Sequence, residues 1–397
     1  MAQSSKSTYF NQDELQDHKA AYEKGGLGNA ASLIQQKLNI LCNTELNIAV
    51  MGDSGAGKST FLNAMRGVQG DDDRAAESGP TETTMKPTSY PHPHLPNVCF
   101  WNLPGIGTTN SPTKMYLSGM TFQIYDFFVI ILHGRFREND ISIANEIKKL
   151  GKNLYFAHSK IDSDLYSMRK RNRNFNEGEE LKTIRRDCAS KLEEAGSSAL
   201  TVFLISSFEM NGFDFPNLRE TLANNLDDLK KHIFMMSLPN TTLEIIHNKR
   251  KGLKKQIWML ATVSGSVGAV PVSGLSFACD TGILVCAIKE FRKYLGLDNA
   301  SLQRPANRTG KPVKDLKAVV KSPLLGEISK DFVLQKLKGS VFGGISAAKP
   351  VFDFIPVIGP IFGAGSSFLQ TRKMLNNVLN DLTENAQRVV KAVFGTD

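Results

Sequence analysis

The feature that most constrains this chain is a phosphate-binding loop, Gly52-Asp53-Ser54-Gly55-Ala56-Gly57-Lys58-Ser59, which matches the pattern G-x-x-x-x-G-K-S. An apolar segment at residues 46–51 precedes the loop. A segment with helical spacing of apolar residues follows it, from near Lys58 to a stop at Gly67. This motif requires the order strand, loop, helix, because phosphate oxygens bind where loop N–H groups meet the positive end of a helix dipole. The chain is therefore predicted to contain an α/β nucleotide-binding domain.

Each position of the loop has an expected part in holding a nucleotide. The Lys58 ammonium can reach the β- and γ-phosphates, and the Ser59 hydroxyl can ligate the Mg²⁺ that bridges them. A glycine-rich turn that resembles the motif by chance is the alternative, and the flanking strand and helix argue against it. The predicted phosphate-binding residues are Asp53, Ser54, Gly55, Ala56, Gly57, Lys58, Ser59 and Thr60.

A second motif, Ser159-Lys160-Ile161-Asp162, follows an apolar segment at residues 154–157 and favours guanine as the base. The Asp162 carboxylate can accept both the N1–H and the 2-amino N–H of guanine, which adenine does not offer. The aliphatic stem of Lys160 would lie along the base, and Ser159 replaces the usual Asn or Thr. Alone, this tetrapeptide is weak evidence for guanine, but a preceding phosphate-binding loop strengthens it. Binding of ATP instead of GTP is the alternative.

A further apolar segment, residues 202–205, ends in Ser206 and Ser207. Backbone N–H groups at these two serines are expected to meet the guanine O6 atom. They complete the set of predicted base-binding residues, together with Ser159, Lys160 and Asp162.

Between these motifs lies a polar stretch at residues 70–84 with no strong periodicity, which is typical of a loop. Thr84 is the candidate for a threonine that closes on Mg²⁺ only when a third phosphate is present. Thr81 and Thr83 compete for this role from spacing alone. An ordinary surface threonine is the other interpretation.

The turn Asn102-Leu103-Pro104-Gly105 follows an apolar segment at residues 98–101 and has the form D-x-x-G with asparagine in place of aspartate. Asn102 keeps an acceptor oxygen but loses the charge that supports Mg²⁺, so metal affinity should fall. Gly105 can donate its N–H to a γ-phosphate oxygen. No glutamine follows to orient a water molecule, so hydrolysis must use another residue or a group from a second molecule.

These motifs resemble the interferon-inducible immunity-related GTPases of vertebrates. The lysine in its phosphate-binding loop makes this chain similar to the Gly-Lys-Ser branch of the family. That branch is associated with effectors rather than regulators. The resemblance covers about residues 40–325. Its strongest segments are residues 51–67, 83–85, 94–98, 103–110, 125–128 and 213–216, with shorter ones at 256–258, 296–298, 301–302 and 321–323.

The resemblance implies a protein that hydrolyses GTP to GDP, self-assembles in its GTP state with nucleotide faces meeting across a dimer, and acts on membranes around intracellular pathogens. It places Glu82 where the family has a switch glutamate implicated in hydrolysis, and Thr84 where the family has its Mg²⁺-contacting threonine. With Gly105, these are the expected catalytic residues, and Ser59 and Thr84 are the expected metal ligands. The family turn has aspartate, so Asn102 bears on the catalytic rate more than on binding.

A rival hypothesis is a nucleotide-gated structural or interaction protein. In that case Asn102 weakens Mg²⁺ binding so far that GTP is bound but hardly hydrolysed, and the assembly state alone carries the signal.

The length of 397 residues favours two domains. Apolar segments alternate with amphipathic ones from residue 45 to 232, and the apolar run at 126–132 is typical of a buried parallel strand. We expect a Ras-like P-loop GTPase domain there, with a mainly parallel sheet. Residues 1–44 and 233–397 are predicted to form an all-α domain, in which a short helix with Ile34, Leu38 and Leu41 on one face packs on the C-terminal helices.

The formal charge of +9 is compatible with nucleic acid or an anionic membrane as a partner. Its densest run, residues 168–174, has poor aromatic interleaving, so nucleic-acid binding is not expected. A solvated loop is the plainest interpretation of this run, and contact with a membrane or partner is the alternative.

Five cysteines, at positions 42, 99, 188, 279 and 286, lack disulfide or metal-ligand spacing, so a reducing cytoplasm is expected. The uncharged segments 256–279 and 354–371 contain prolines and favour buried or hairpin-forming helices over spans. Insertion of the segment 340–367 into one leaflet is the alternative, and it would give peripheral association with intracellular or vacuolar membranes.

Overall fold

The computed structural model describes residues 12–77, 86–104, 122–134, 138–194, 201–267, 276–322, 324, 326–341 and 366–395. The chain divides into two compact units, one of Glu45–Thr241 and one that combines Met1–Thr44 with Thr242–Asp397. The sheet-containing unit extends past residue 232, because the helix Asp228–Ser237 packs on two of its strands.

The first unit contains a six-stranded sheet. Its strands are β1 Leu46–Met51, β2 Thr88–Pro91, β3 Val98–Asn102, β4 Phe127–Leu132, β5 Asn153–His158 and β6 Val202–Leu204. They lie in the order β2-β3-β1-β4-β5-β6, and every neighbouring pair is parallel except β2 with β3. All six residues of β4 are buried, as its continuous apolar sequence predicts for an inner strand of a parallel sheet. The prediction of an α/β domain with a mainly parallel sheet is confirmed.

Six α-helices of the described residues belong to this unit. They are α2 Lys58–Arg66, α3 Glu138–Lys149, α4 Ile161–Arg171, α5 Glu177–Glu194, α6 Phe215–Asn224 and α7 Asp228–Ser237. Helix α2 ends because Gly67 adopts φ 62° and its N–H turns back to the carbonyl of Ala64. Helix α4 extends through Arg171, so the basic run 168–174 is not a loop throughout: its first four residues form the last turn of this helix.

The strand register brings the predicted motifs to one edge of the sheet. Val50 pairs with Asn102, Met51 with Ile130, and Leu132 with His158. Because these strands are parallel, the loops that follow β1, β3 and β5 leave the sheet on the same side, where ligands bind in open α/β sheets.

The second unit is helical and uses both ends of the chain, as predicted. Helix α1 Gln12–Asn43 packs on α8 Leu243–Val267, and α13 Ser366–Phe394 packs on the same helix. Ile34, Leu38 and Leu41 are buried, but α1 is longer than the short helix expected and bends where Gly26 adopts φ 65°. The other helices are α8 Leu243–Val267, α9 Ser276–Tyr294, α10 Asn299–Thr309, α11 Val313–Val319, α12 Lys330–Val341 and α13 Ser366–Phe394.

None of the helices in the described part of the chain combines the length and apolar character that crossing a bilayer requires. Most of the segment 340–367, which carried the alternative of leaflet insertion, lies outside the described residues.

Candidate functional site

The phosphate-binding loop turns directly out of β1 and depends on glycine at its first position. Gly52 has φ +135°, and a Cβ atom added there would lie 2.0 Å from the carbonyl oxygen of Ile131 on β4. Gly55 and Gly57 also have positive φ values, of 75° and 97°. Side chains rarely adopt such conformations, so this backbone path is open to glycine alone at Gly52 and strained for other residues at the other two positions.

Lys58 begins helix α2, and its side chain folds back along the loop. Its Nζ atom donates to the carbonyl oxygens of Gly52 at 3.0 Å and Asp53 at 2.9 Å. Lys58 is buried, whereas Ser54 and Gly55 at the tip of the loop are exposed. The ammonium therefore lies on the inner side of the loop, the position from which it can reach a phosphate chain. Of the remaining loop positions, Ala56 is buried and Asp53, Gly57, Ser59 and Thr60 are partly exposed.

The end of β3 lies beside the start of α2. The Nδ2 atom of Asn102 is 3.4 Å from the Oγ atom of Ser59. Asn102 is almost fully buried, with 1% of its surface exposed. The residue that replaces the expected aspartate thus contacts the hydroxyl predicted to ligate Mg²⁺.

The loop after β5 is tied to the phosphate-binding loop by two side chains. The Ser159 hydroxyl lies 2.5 Å from the carbonyl oxygen of Ala56, and Lys160 Nζ donates to the carbonyl oxygen of Gly55 at 2.7 Å. Lys160 adopts φ 60°, an unusual conformation for a residue with a long side chain. The structure thus brings the two predicted loops into direct contact.

Asp162 lies in the first turn of α4. Its Oδ1 atom is buried and has no hydrogen-bond partner within the described ranges. A buried carboxylate oxygen without a donor is unfavourable by about 1–3 kcal/mol, so it is a position where a ligand N–H would be stabilising.

Ser206 and Ser207 follow β6 and adjoin the same loop. The backbone N–H of Ile161 donates to the carbonyl oxygen of Ile205 at 3.2 Å. The buried Ser206 hydroxyl accepts from the backbone N–H groups of Phe208 and Glu209, each at 3.2 Å, and so holds the turn after β6. Ser207 is partly exposed on this turn.

A buried group beneath these loops has no counterpart in the sequence predictions. His158, the last residue of β5, places Nε2 3.2 Å from Asp164 Oδ2 and Nδ1 4.0 Å from Cys188 Sγ. Burial lowers the pKa of His158, but the hydrogen bonds with Asp164 and Cys188 and the negative charge of Asp164 outweigh this effect and raise the pKa from 6.5 to about 9. The imidazole is therefore positively charged at neutral pH.

Three predicted site residues, Glu82, Thr84 and Gly105, lie outside the described residues. Among the residues that are described, no cluster of three or more His, Cys, Asp and Glu side chains could hold a metal ion.

Comparison with known proteins supports the interpretation of the motifs. A family model described as Interferon-inducible GTPase (IIGP) matches residues 11–393. The chain is 38% identical over 383 residues to Interferon-inducible GTPase 5 of Rattus norvegicus. This alignment covers 96% of this chain and 83% of the rat protein. It is 37% identical over 387 residues to Interferon-gamma-inducible GTPase 10 of Mus musculus, and this alignment covers 97% of this chain and 90% of the mouse protein. The chain therefore belongs to the interferon-inducible GTPase family.

Proposed function

We propose that the loops after β1, β5 and β6 form one guanine-nucleotide site, where this chain hydrolyses GTP to GDP with Mg²⁺. Membership in the interferon-inducible GTPase family makes the chain a GTPase of the immune response. We propose in addition the roles of individual residues, a bound Mg²⁺ ion, self-assembly and membrane association.

The observation that carries the proposal is the buried Oδ1 atom of Asp162, which has no hydrogen-bond partner among the described residues. Guanine fits this position because its N1–H and 2-amino N–H form a pair of donors that a carboxylate accepts together. Adenine has no such pair and would leave the oxygen unsatisfied. Lys160, held on the loop by Gly55, supports the base with its aliphatic stem.

The loop from Gly52 to Ser59 binds the phosphates. Its positive-φ glycines at positions 52, 55 and 57 turn successive backbone N–H groups inward, and the N-terminus of α2 adds a favourable dipole. Lys58 contributes the fixed positive charge. Its contacts with the carbonyl oxygens of Gly52 and Asp53 hold the ammonium in the loop.

Mg²⁺ fits the pair formed by Ser59 and Asn102. The Ser59 hydroxyl is a hard oxygen ligand. A 180° flip of the adjacent Asn102 amide exchanges Nδ2 for Oδ1 and directs an acceptor oxygen toward the same place. When bound, the ion would neutralise charge on the β- and γ-phosphates. We assign Thr84 as a further protein ligand, which would close on the metal in the GTP state.

Glu82 and Gly105 complete the proposed catalytic set, with Gly105 donating its N–H to the γ-phosphate. The chain has no glutamine at residues 106–108 to orient the attacking water. Glu82, or a group supplied by a second copy of the chain, takes this part. A requirement for a second copy couples hydrolysis to GTP-dependent self-assembly, which the family resemblance also implies.

For localisation, we propose a cytoplasmic protein that associates peripherally with intracellular membranes. The family resemblance and the Gly- and Pro-rich segment at residues 340–367 support this assignment.

The first experiment measures GTP, XTP and ATP binding to the wild type and to Asp162→Asn. Xanthine carries a carbonyl where guanine has its 2-amino group, so the asparagine amide can donate to it. We expect the variant to lose GTP affinity by at least about tenfold and to gain XTP affinity. Equal binding of GTP and ATP by the wild type would refute guanine selection.

The second experiment separates the GTPase from the nucleotide-gated structural protein that the Asn102 substitution also suggests. Single-turnover hydrolysis is measured across a series of protein concentrations. A rate that rises with concentration supports catalysis between copies. A flat rate near zero supports the structural alternative.

A further inference from the structure

We propose that His158 and Asp164 are positioning residues for guanine selection, acting by holding the first turn of α4 so that Asp162 keeps both of its contacts with the base. This inference rests on the proposed role of Asp162. Neither residue touches the nucleotide in this view, and their effect passes through the backbone of the loop.

The contacts of the His158 ring tie three elements together. Nε2 lies 3.2 Å from the Asp164 carboxylate on α4, and Nδ1 lies 4.0 Å from the Cys188 sulfur on α5. His158 and Cys188 are 5% and 2% exposed. The Asp164 side chain is 27% exposed, but the imidazole and the thiol are enclosed, so a structural role in the loop is the one that the geometry supports.

The backbone of His158 joins the same network. Its carbonyl oxygen accepts from the N–H of Ile205 at 2.8 Å, just before the Ser206 turn. The next residue, Ser159, reaches the phosphate-binding loop through Ala56. His158 thus connects both base-side loops to the end of β5.

Asp164 and Asp162 are two residues apart in the first turn of α4. The N–H of Asp164 donates to the carbonyl oxygen of Lys160 at 3.1 Å, which closes that turn. The charged hydrogen bond from His158 to the Asp164 side chain fixes the rotation of the turn relative to β5. Charge-assisted hydrogen bonds are about twice as strong as neutral ones, so this contact is well suited to hold a short segment.

Rotation matters because a bidentate contact needs both donor–acceptor distances near 2.9 Å at once. A small displacement of Asp162 keeps one hydrogen bond and breaks the other. Inosine lacks the 2-amino group and can make only the N1–H contact. The ratio of GTP to ITP affinity therefore measures the bidentate geometry, separately from phosphate binding or overall stability.

The experiment measures this ratio by nucleotide titration for wild type, Asp164→Asn and His158→Gln. The control Asp187→Asn also replaces an ion-paired carboxylate, but its partner is Lys191 on the exposed side of α5. We expect the GTP-to-ITP ratio to fall about fivefold or more in each test variant and to stay unchanged in the control. The double variant should lose no more than either single one, because the two residues act as a pair.

Circular dichroism and thermal unfolding identify variants that remain folded, and only those are compared. A ratio that stays at the wild-type value in folded Asp164→Asn, while Asp162→Asn collapses it, overturns the positioning role and leaves guanine selection intact. A ratio insensitive to Asp162→Asn itself overturns both proposals.

Discussion

Asn102 Nδ2 lies 3.4 Å from Ser59 Oγ, so a neutral amide at the end of β3 lies beside the hydroxyl that we propose as a metal ligand, where D-x-x-G turns usually have a charged carboxylate. The amide is almost fully buried. A buried aspartate at this position would be stabilised chiefly by a nearby cation. Its effect on the protein should therefore be favourable when Mg²⁺ is bound and unfavourable when the ion is absent.

The substitution Asn102→Asp is expected to strengthen Mg²⁺-dependent GTP binding and to destabilise the nucleotide-free protein. A charged contact is stronger than a neutral one by about 1 kcal/mol, which lowers the half-saturating Mg²⁺ concentration about fivefold. Without the ion, the buried carboxylate should reduce the free energy of unfolding by about 1–3 kcal/mol. Mg²⁺ titrations of GTP binding and urea unfolding with EDTA measure the two effects.

Asn102→Ala is the matched control, because it removes the amide without adding charge. Asn102→Ala should weaken Mg²⁺-dependent GTP binding and raise the half-saturating Mg²⁺ concentration, the opposite of the effect expected for Asn102→Asp. Identical Mg²⁺ titrations for Asn102→Asp and the wild type would show that the amide is not part of the metal site.

The phosphate-binding loop offers a second test, of stability. Gly52→Ala should reduce the free energy of unfolding of the nucleotide-free protein by more than about 3 kcal/mol, because its Cβ would lie 2.0 Å from the Ile131 carbonyl oxygen at a strained φ. Gly55→Ala is the control: it also has positive φ, but no atom lies within 4 Å of its Cβ. Its expected loss is only about 1–2 kcal/mol. Urea unfolding of both variants measures the difference, and equal losses would contradict the steric explanation.

Stability should also depend on pH through His158. Its pKa in the folded protein is about 9, against 6.5 ordinarily, so the folded state binds the proton more tightly. The resulting stabilisation is fully present below pH 6.5 and is lost as pH rises through 9, to a total of about 3 kcal/mol. Unfolding of wild type and Asp164→Asn should therefore differ most near pH 6 and least near pH 9.5. A difference that is constant with pH would contradict the charged pair.

Lys249 of α8 gives the opposite pH dependence in the helical unit. Burial lowers its pKa from 10.5 to about 7, although its Nζ donates to the carbonyl oxygen of Tyr294 at 2.8 Å. The unfolded chain therefore binds the proton more tightly, and stability rises with pH from 7 to 10.5 as this penalty disappears. Lys249→Met should stabilise the unit by about 1–3 kcal/mol at pH 7 and show no gain at pH 10.5.

This prediction can be followed by the fluorescence of Trp258 on the same helix, in a Trp101→Phe background that removes the tryptophan of the sheet unit. Lys251→Met is the control, because Lys251 is exposed on α8. It should change stability by less than about 0.5 kcal/mol at either pH. A gain for Lys249→Met that does not change with pH would show that its charge is not the cause.

The sequence predicted the sheet and the neighbouring loops because these depend on local order. Residues 46–67 contain strand, glycine-rich turn and helix in succession, and parallel pairing brings the loop after β5 to the same edge. The His158 cluster could not be predicted, since its members come from β5, α4 and α5 and meet only through packing. The extent of α4 was also missed, because charged residues continue an exposed helix as readily as they form a loop.

The helical unit is assembled from both chain ends, with α1 packed on α8. During synthesis, α1 leaves the ribosome long before its partner exists, while the whole of Glu45–Thr241 emerges in between. The nucleotide-binding unit can thus finish folding while the apolar side of α1, with Ile34 and Leu38, still awaits cover. Chains that terminate before Leu243 lack α8, so the apolar side of α1 should stay exposed to solvent. We expect such chains to bind chaperones rather than to act as independent enzymes.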